Sequence, residues 1–209
     1  MHAVAHTKHA RALLAQYPGL QSLIDKAQQS YDELYESQPL EYHLAYAGGL
    51  EAIFTPFFKM ILDNRAVLFS GGDSRFASML LWHFCEEIEH RSSALTVYNH
   101  VVGSYRYRIT NTRRFQKHAR SLFEMAIEEF KAHVPDVPHE VYEGNPFASV
   151  PRAATLRSAL GILSSQLPWH NPTHQPLPNY YDEWIGHWTS GEDITQLYGQ
   201  PPMIHEEAR

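Results

Sequence analysis

A single cysteine, Cys85, is all the thiol in this 209-residue chain. That excludes an intrachain disulfide and any zinc site built on paired cysteines. Long apolar runs are also missing. No stretch approaches the roughly 18 residues of a membrane-spanning helix, so no membrane span is expected. The opening residues, Met1-His2-Ala3-Val4-Ala5-His6, lack the basic-then-apolar order of a secretory leader, and the expected location is cytoplasmic. Positive charge is scarce: the net charge is −6 with histidine neutral. Basic residues gather only at Arg106, Arg108, Arg113, Arg114, Lys117 and Arg120, a group that reads as a solvated helix face. A nucleic acid would bind against the overall field, so none is expected as a partner. The sequence holds neither a nucleophile elbow nor an HExxH motif, no internal repeat, and no segment that alternates over strand length.

What is present has helical period almost throughout, which predicts an all-α fold. Hydrophobic residues make up 44% of the chain, enough for a sizeable core at this length. A first helix is expected over 2–16, stopped by Pro18-Gly19. The next shows Leu20, Leu23, Ile24, Ala27, Tyr31 and Leu34 at 3-4 spacing. Pro39 separates it from a third helix over 40–62. Ser70-Gly71-Gly72-Asp73 then breaks the chain, with Asp73 or Ser74 as N-cap. A long helix is predicted over 74–102, another over 105–133, a connection over 134–150, and a shorter helix from Pro151 to about residue 167. Pro168, Pro172, Pro176 and Pro178 predict an extended arm. The expected organisation is a helical metal-binding bundle over 1–167, followed by a Pro-rich arm and loosely packed tail over 168–209.

Three ionisable residues interrupt an apolar stripe. One face of the 74–102 helix reads Phe76, Leu80, His83, Glu87, His90, Ala94, Val97, Val101, and its apolar ends predict that it faces the core. A buried carboxylate is costly unless paired or bound to a metal. Glu87 and His90 stand at i and i+3, one turn apart, so both can reach one ion, a pattern of carboxylate-bridged di-iron bundles. A surface Glu–His pair is the plainer reading. His83, one turn before Glu87, is either a ligand or a group that orients one. Glu86, Glu89 and Arg91 lie off the stripe and read as surface ion pairs. The third helix repeats the pattern: Leu44, Ala47, Glu51, Phe54, Phe58 and Leu62, with Glu51 its one charge. A metal shared with Glu87 would give Glu51 a partner; burial that neutralises it, or an arginine, would serve as well. His2, His6 and His9 share a face of the first helix and read as an exposed, histidine-rich start.

These residues carry a resemblance. Leu81-Trp82-His83-Phe84-Cys85-Glu86-Glu87-Ile88-Glu89-His90-Arg91, followed by Val97-Tyr98 and Tyr105-Arg106, is similar to the signature of the bacterial "predicted metal-dependent hydrolase" family: W-H-x-x-E-E-I-E-H-K, then V-Y and Y-x-x-R. Leu50-Glu51 resembles the family's L-E-H-F-T helix, with Ala52 where a histidine usually stands. Met1-His2-Ala3-Val4-Ala5-His6 falls on M-H-A-x-x-H of a metal-binding helix, and Thr173-His174-Gln175 lies where a late F-H-P motif is expected. The resemblance implies a ferritin-like bundle, N-terminally incomplete in this chain, with a metal set of His2, Glu51, Glu87 and His90. Two carboxylates of the usual set are absent, which leaves two metals, one or none open.

The expected cofactor is a divalent metal. Mixed oxygen and nitrogen donors favour iron, as two ions in a di-iron site, and admit manganese or zinc. Three chemistries follow. Two irons, bridged by Glu51 and Glu87 with His2 and His90 terminal, would oxidise a small organic molecule with dioxygen. A metal-activated water, with Glu86 or His83 as base, would hydrolyse one. A non-catalytic or decayed metal-binding protein is the third. The expected partners are a small-molecule substrate and a second copy of the chain in a homodimer.

Overall fold

The computed structural model describes residues 2–193, with the side chain of His2 outside that description. The described residues contain helices and no strand, as the sequence periodicity predicts. In chain order the helices are α1 (His2–Gln16), α2 (Gln21–Ser37), α3 (Leu40–Asp63), α4 (Arg65–Leu68), α5 (Ser74–Glu89), α6 (Ser93–Val101), α7 (Tyr105–His133), α8 (His139–Glu143), α9 (Arg152–Ser164) and α10 (Asn179–Thr189). None is long and apolar enough to cross a membrane.

Helix α3 is the axis of the bundle and packs against α5, α6, α7, α9 and α10. Two adjacent glycines permit this. A Cβ at Gly48 would lie 3.0 Å from the Leu95 backbone of α6, and one at Gly49 would lie 2.6 Å from the Phe115 ring of α7. Two helices thus close on α3 at successive positions, and the backbone contact leaves no room for a side chain. Around the N-terminal half of α3, Tyr42, Ala45, Tyr46, Leu95, Tyr98 and Phe115 form one core cluster. Around its C-terminal half, Phe58, Met60, Ile61 and Leu62 join Leu81, Trp82, Cys85 and Ile88 of α5 in another. Pro56 stands inside α3 and removes one ladder donor; Ser158 Oγ of α9 donates to the Pro56 carbonyl at 3.2 Å.

Two sequence expectations are corrected. The helix predicted over 74–102 is broken. Helix α5 ends at Glu89, His90 follows at φ −86°, ψ 1°, and α6 starts afresh at Ser93. The buried face of α5 is Ala77, Ser78, Leu81, Trp82, Cys85 and Ile88, not the stripe through Phe76. Phe76, Val97 and Val101, the expected apolar ends of that stripe, are 42%, 48% and 60% exposed. With the break at 90–92, residues before and after it no longer share one helical phase. The residues there, His90-Arg91-Ser92, include no Pro or Gly to announce it. Arg91, read as a surface charge, closes the end of α5 by donating to the carbonyl of Ile88 at 2.9 Å and of Pro172 at 3.2 Å.

The second correction concerns the stretch after residue 168. It is not extended throughout: α10 forms, and Tyr180 and Trp184 sit in the same core cluster as Phe58 and Trp82. Arg65 holds α10 in place, its guanidinium 4.3 Å from the Tyr180 ring centre and 2.9 Å from the Glu183 carboxylate. The prolines before α10 masked it in the sequence, although Pro178 is its N-cap.

Two predictions follow from this packing. Trp184→Ala will destabilise the fold by about 3–5 kcal/mol in chemical denaturation. Trp184→Phe will cost much less, because the indole N–H has no partner to lose. The second concerns Glu129 of α7, which is buried and accepts from Ser22 Oγ and Lys26 Nζ of α2, with His133 Nε2 at 3.5 Å. The Lys26 and Ser22 hydrogen bonds hold its carboxyl below the ordinary glutamate value of 4.5. A depressed folded value gives stability that is complete above 4.5 and lost as pH falls through the lower folded value. Thermal melts of Glu129→Gln against pH will therefore be flatter than those of the wild type on the acid side of 4.5.

Candidate metal centre

Helix α1 turns His6 and His9 toward α5. Ala5 packs on the core cluster, and His9 sits 5.2 Å from the Phe76 ring. His6 Nε2 and His83 Nδ1 share a hydrogen bond of 3.0 Å, with the rings edge to face. The other nitrogen of His83, Nε2, faces Glu87 Oε1 one turn along at 3.8 Å. The side chains of His83 and Glu87 are 22% and 31% exposed, so the group lies at the edge of the core, open to small solutes. The histidines of the first helix, read as an exposed start, are therefore partly buried at His6 and His9. The spacing of His2, His6 and His9 on one face was the sequence signal for this; what it lacked was a partner helix.

Glu51 has a different partner from any expected. Its Oε2 accepts from the backbone N–H of Leu95 at 3.1 Å, and the neighbouring amides of Ser93 and Ala94 also favour its charged form. These are the first amides of α6, whose N-cap Ser92 offers no side-chain bond. A helix start leaves such N–H groups without intrahelical acceptors and carries partial positive charge, so a carboxylate from another helix satisfies both demands. Burial raises the Glu51 carboxyl above the ordinary value, and the three amides and the charge of His90 act against that rise.

The members of the expected ligand set have different neighbours. Glu51 turns to α6, Glu87 stands beside His83, His90 is exposed at the end of α5, and the side chain of His2 lies outside the described residues. Among the described residues, no group of three or more His, Cys, Asp or Glu is arranged to hold a metal ion. The imidazole pair nonetheless fits one edge of a coordination sphere. Adjacent donors bound at about 2.1 Å to one ion sit roughly 3 Å apart, the separation of His6 Nε2 from His83 Nδ1. A carboxylate behind the second nitrogen of a ligating histidine is the usual arrangement that fixes its tautomer, and Glu87 stands there.

A family model described as "predicted metal-dependent hydrolase" matches residues 1–176. Neither a curated protein nor a solved structure matches the chain.

The position of Glu51 generates a test. Glu51→Ala leaves the buried Leu95 amide at the start of α6 without its acceptor and will cost about 1–3 kcal/mol. Hydrogen exchange will quicken at Ser93, Ala94 and Leu95 before it does elsewhere in the core. Glu51→Gln keeps one acceptor oxygen and will show a smaller loss.

Proposed function

The chain belongs to the predicted metal-dependent hydrolase family, and from that membership we propose that it hydrolyses a small organic substrate with a divalent metal held by His6 and His83. The observation that carries this reading is the 3.0 Å approach of His6 Nε2 to His83 Nδ1, with Glu87 behind His83. His6 comes from α1 and His83 from α5, so the packing of α1 on the bundle brings the donors together. His2 stands four positions before His6 in sequence and is the candidate for a third nitrogen.

A divalent ion at this position would supply hydroxide at neutral pH by acidifying bound water. The chain's own residues do the rest. Glu87 Oε1, 3.8 Å from His83 Nε2, favours the tautomer with the proton on Nε2 and so leaves the lone pair of Nδ1 toward His6. Glu86 is partly buried three residues after His83. It is the candidate base that takes a proton from the attacking water and returns it to the leaving group. His83, proposed as a ligand, is no longer a candidate base. Glu51 and His90 are given structural roles in this reading. The first sets where α6 begins, and the second ends α5.

Dioxygen activation by two bridged irons is less well supported. It needs Glu51 and Glu87 to share both ions, and the carboxylate of Glu51 is directed at three amides of another helix. Zinc or manganese, which suit hydrolysis on imidazole and carboxylate donors, become the favoured ions over iron.

Elemental analysis of protein purified without chelator tests the proposal. Wild type will carry close to one divalent ion per chain; His6→Ala and His83→Ala will carry little. Glu87→Gln will bind metal about 10–100-fold more weakly. Hydrolysis of simple aryl esters will follow metal content and continue without oxygen. Full metal occupancy in His83→Ala, or substrate turnover that stops when oxygen is removed, would overturn it.

A further inference from the structure

Arg108 was grouped by sequence with the solvated bases of its helix, and the structure separates it from them. It is 4% exposed, while Arg106, Arg113, Arg114, Lys117 and Arg120 stay on the surface. No carboxylate partners it among the described residues. Its guanidinium makes one long hydrogen bond, to the carbonyl of Ser165 at 3.4 Å, and lies 5.8 Å from the Tyr105 ring centre. Five N–H donors are available and one is used. A buried cation with no counter-charge is costly, and the fold offers a reason to keep it.

The guanidinium lines a cavity of about 250 Å³ between the end of α6, the start of α7 and the segment after α9. Three other polar side chains line the same cavity, Tyr105, whose hydroxyl donates to the Gln166 carbonyl at 3.0 Å, His170 and Asn99. His170 Nε2 is buried and has no hydrogen-bond partner; burial lowers the imidazole's proton affinity and the charge of Arg108 lowers it further, which favours the neutral ring. Asn99, from α6, brings a side-chain amide. Leu95 and Pro168 supply apolar wall, and no acidic residue lines the space. Polar groups from three separate segments converge here with one net positive charge among them.

We propose that this cavity binds the carboxylate of a small organic acid. The guanidinium of Arg108 grips the two oxygens, His170 Nε2–H and the Asn99 amide donate to them, and the organic body rests on Leu95 and Pro168. A single negative charge matches one cation among neutral donors, and the planar fork of a guanidinium matches a carboxylate in two parallel hydrogen bonds. The volume is too small for a large ligand but admits an acid of a few carbons. This site does not rest on the metal reading, and its failure would leave the imidazole pair untouched.

The test is an NMR titration of the full chain with sodium propionate, propionamide and inorganic phosphate, reading the Arg108 Nε–H and His170 ring signals. Propionate will shift both saturably, while propionamide will not. Arg108→Lys, which loses the two-pronged grip, will weaken propionate about tenfold or more. Should that buried substitution unfold the chain, His170→Phe and Asn99→Leu report from the other walls, each weakening propionate several-fold. Equal shifts with propionamide or sodium chloride would overturn the proposal, as would an unsaturated response or unchanged affinity in His170→Phe and Asn99→Leu. Saturable phosphate binding without propionate binding would also overturn it.

Discussion

The carboxylate of Glu51 meets the first amides of α6, and much of the architecture depends on that contact. Glu51 lies in the middle of α3, the helix against which α5, α6, α7, α9 and α10 pack. Its position decides where α6 begins. Because α6 begins there, the chain can leave α5 at Glu89 and restart at Ser93 without an uncapped helix end in the core. Leu95, bonded to Glu51 through its N–H, is then drawn against Gly48, and Tyr98 follows into the cluster with Tyr42 and Phe115. A carboxylate that would be a liability in an apolar interface becomes the acceptor that the buried Leu95 amide needs.

The same contact bears on the proposed chemistry, in which the centre is read at the imidazole pair. A carboxylate has two oxygens, and those of Glu51 face backbone N–H groups of α6. The imidazoles of His6 and His83 approach each other instead, and Glu87 supports the second of them. The shift moves the candidate centre from the α3–α5 seam to the α1–α5 seam. It also changes the donor balance from carboxylate-rich, which suits bridged irons, to imidazole-rich, which suits hydrolytic ions.

Burying polarity in a fold of this size requires partners, and the chain meets the requirement in different ways. Glu129 has Lys26 and Ser22. Glu51 has a helix start. Arg91, at the break, has two backbone carbonyls. Arg108 is the exception, with one long bond to a carbonyl and a polar cavity before it. The contrast among these buried groups, rather than any motif, singles out the Arg108 cavity.

How much of this was legible in the sequence differs from element to element. Helical period gave the all-α class and the bounds of α1, α3 and α7 to within a residue or so, because amphipathic spacing is a local property. The motif through Trp82, His83, Glu87 and His90 led to the family, and His83 and Glu87 do stand together because i and i+4 share a helix face. The break at His90 was not legible, since what stabilises it is a carboxylate some forty positions away, and no local residue signals it. Nor was the pairing of His6 with His83, the burial of Arg108 among its exposed neighbours, or the return of Trp184 to the core. Sequence by itself determined which segments coil and which residue types could bind a metal or an anion. Only the tertiary structure decided which of them meet, because hydrogen-bond partners and burial depend on how distant segments pack, and spacing along one chain carries no measure of that.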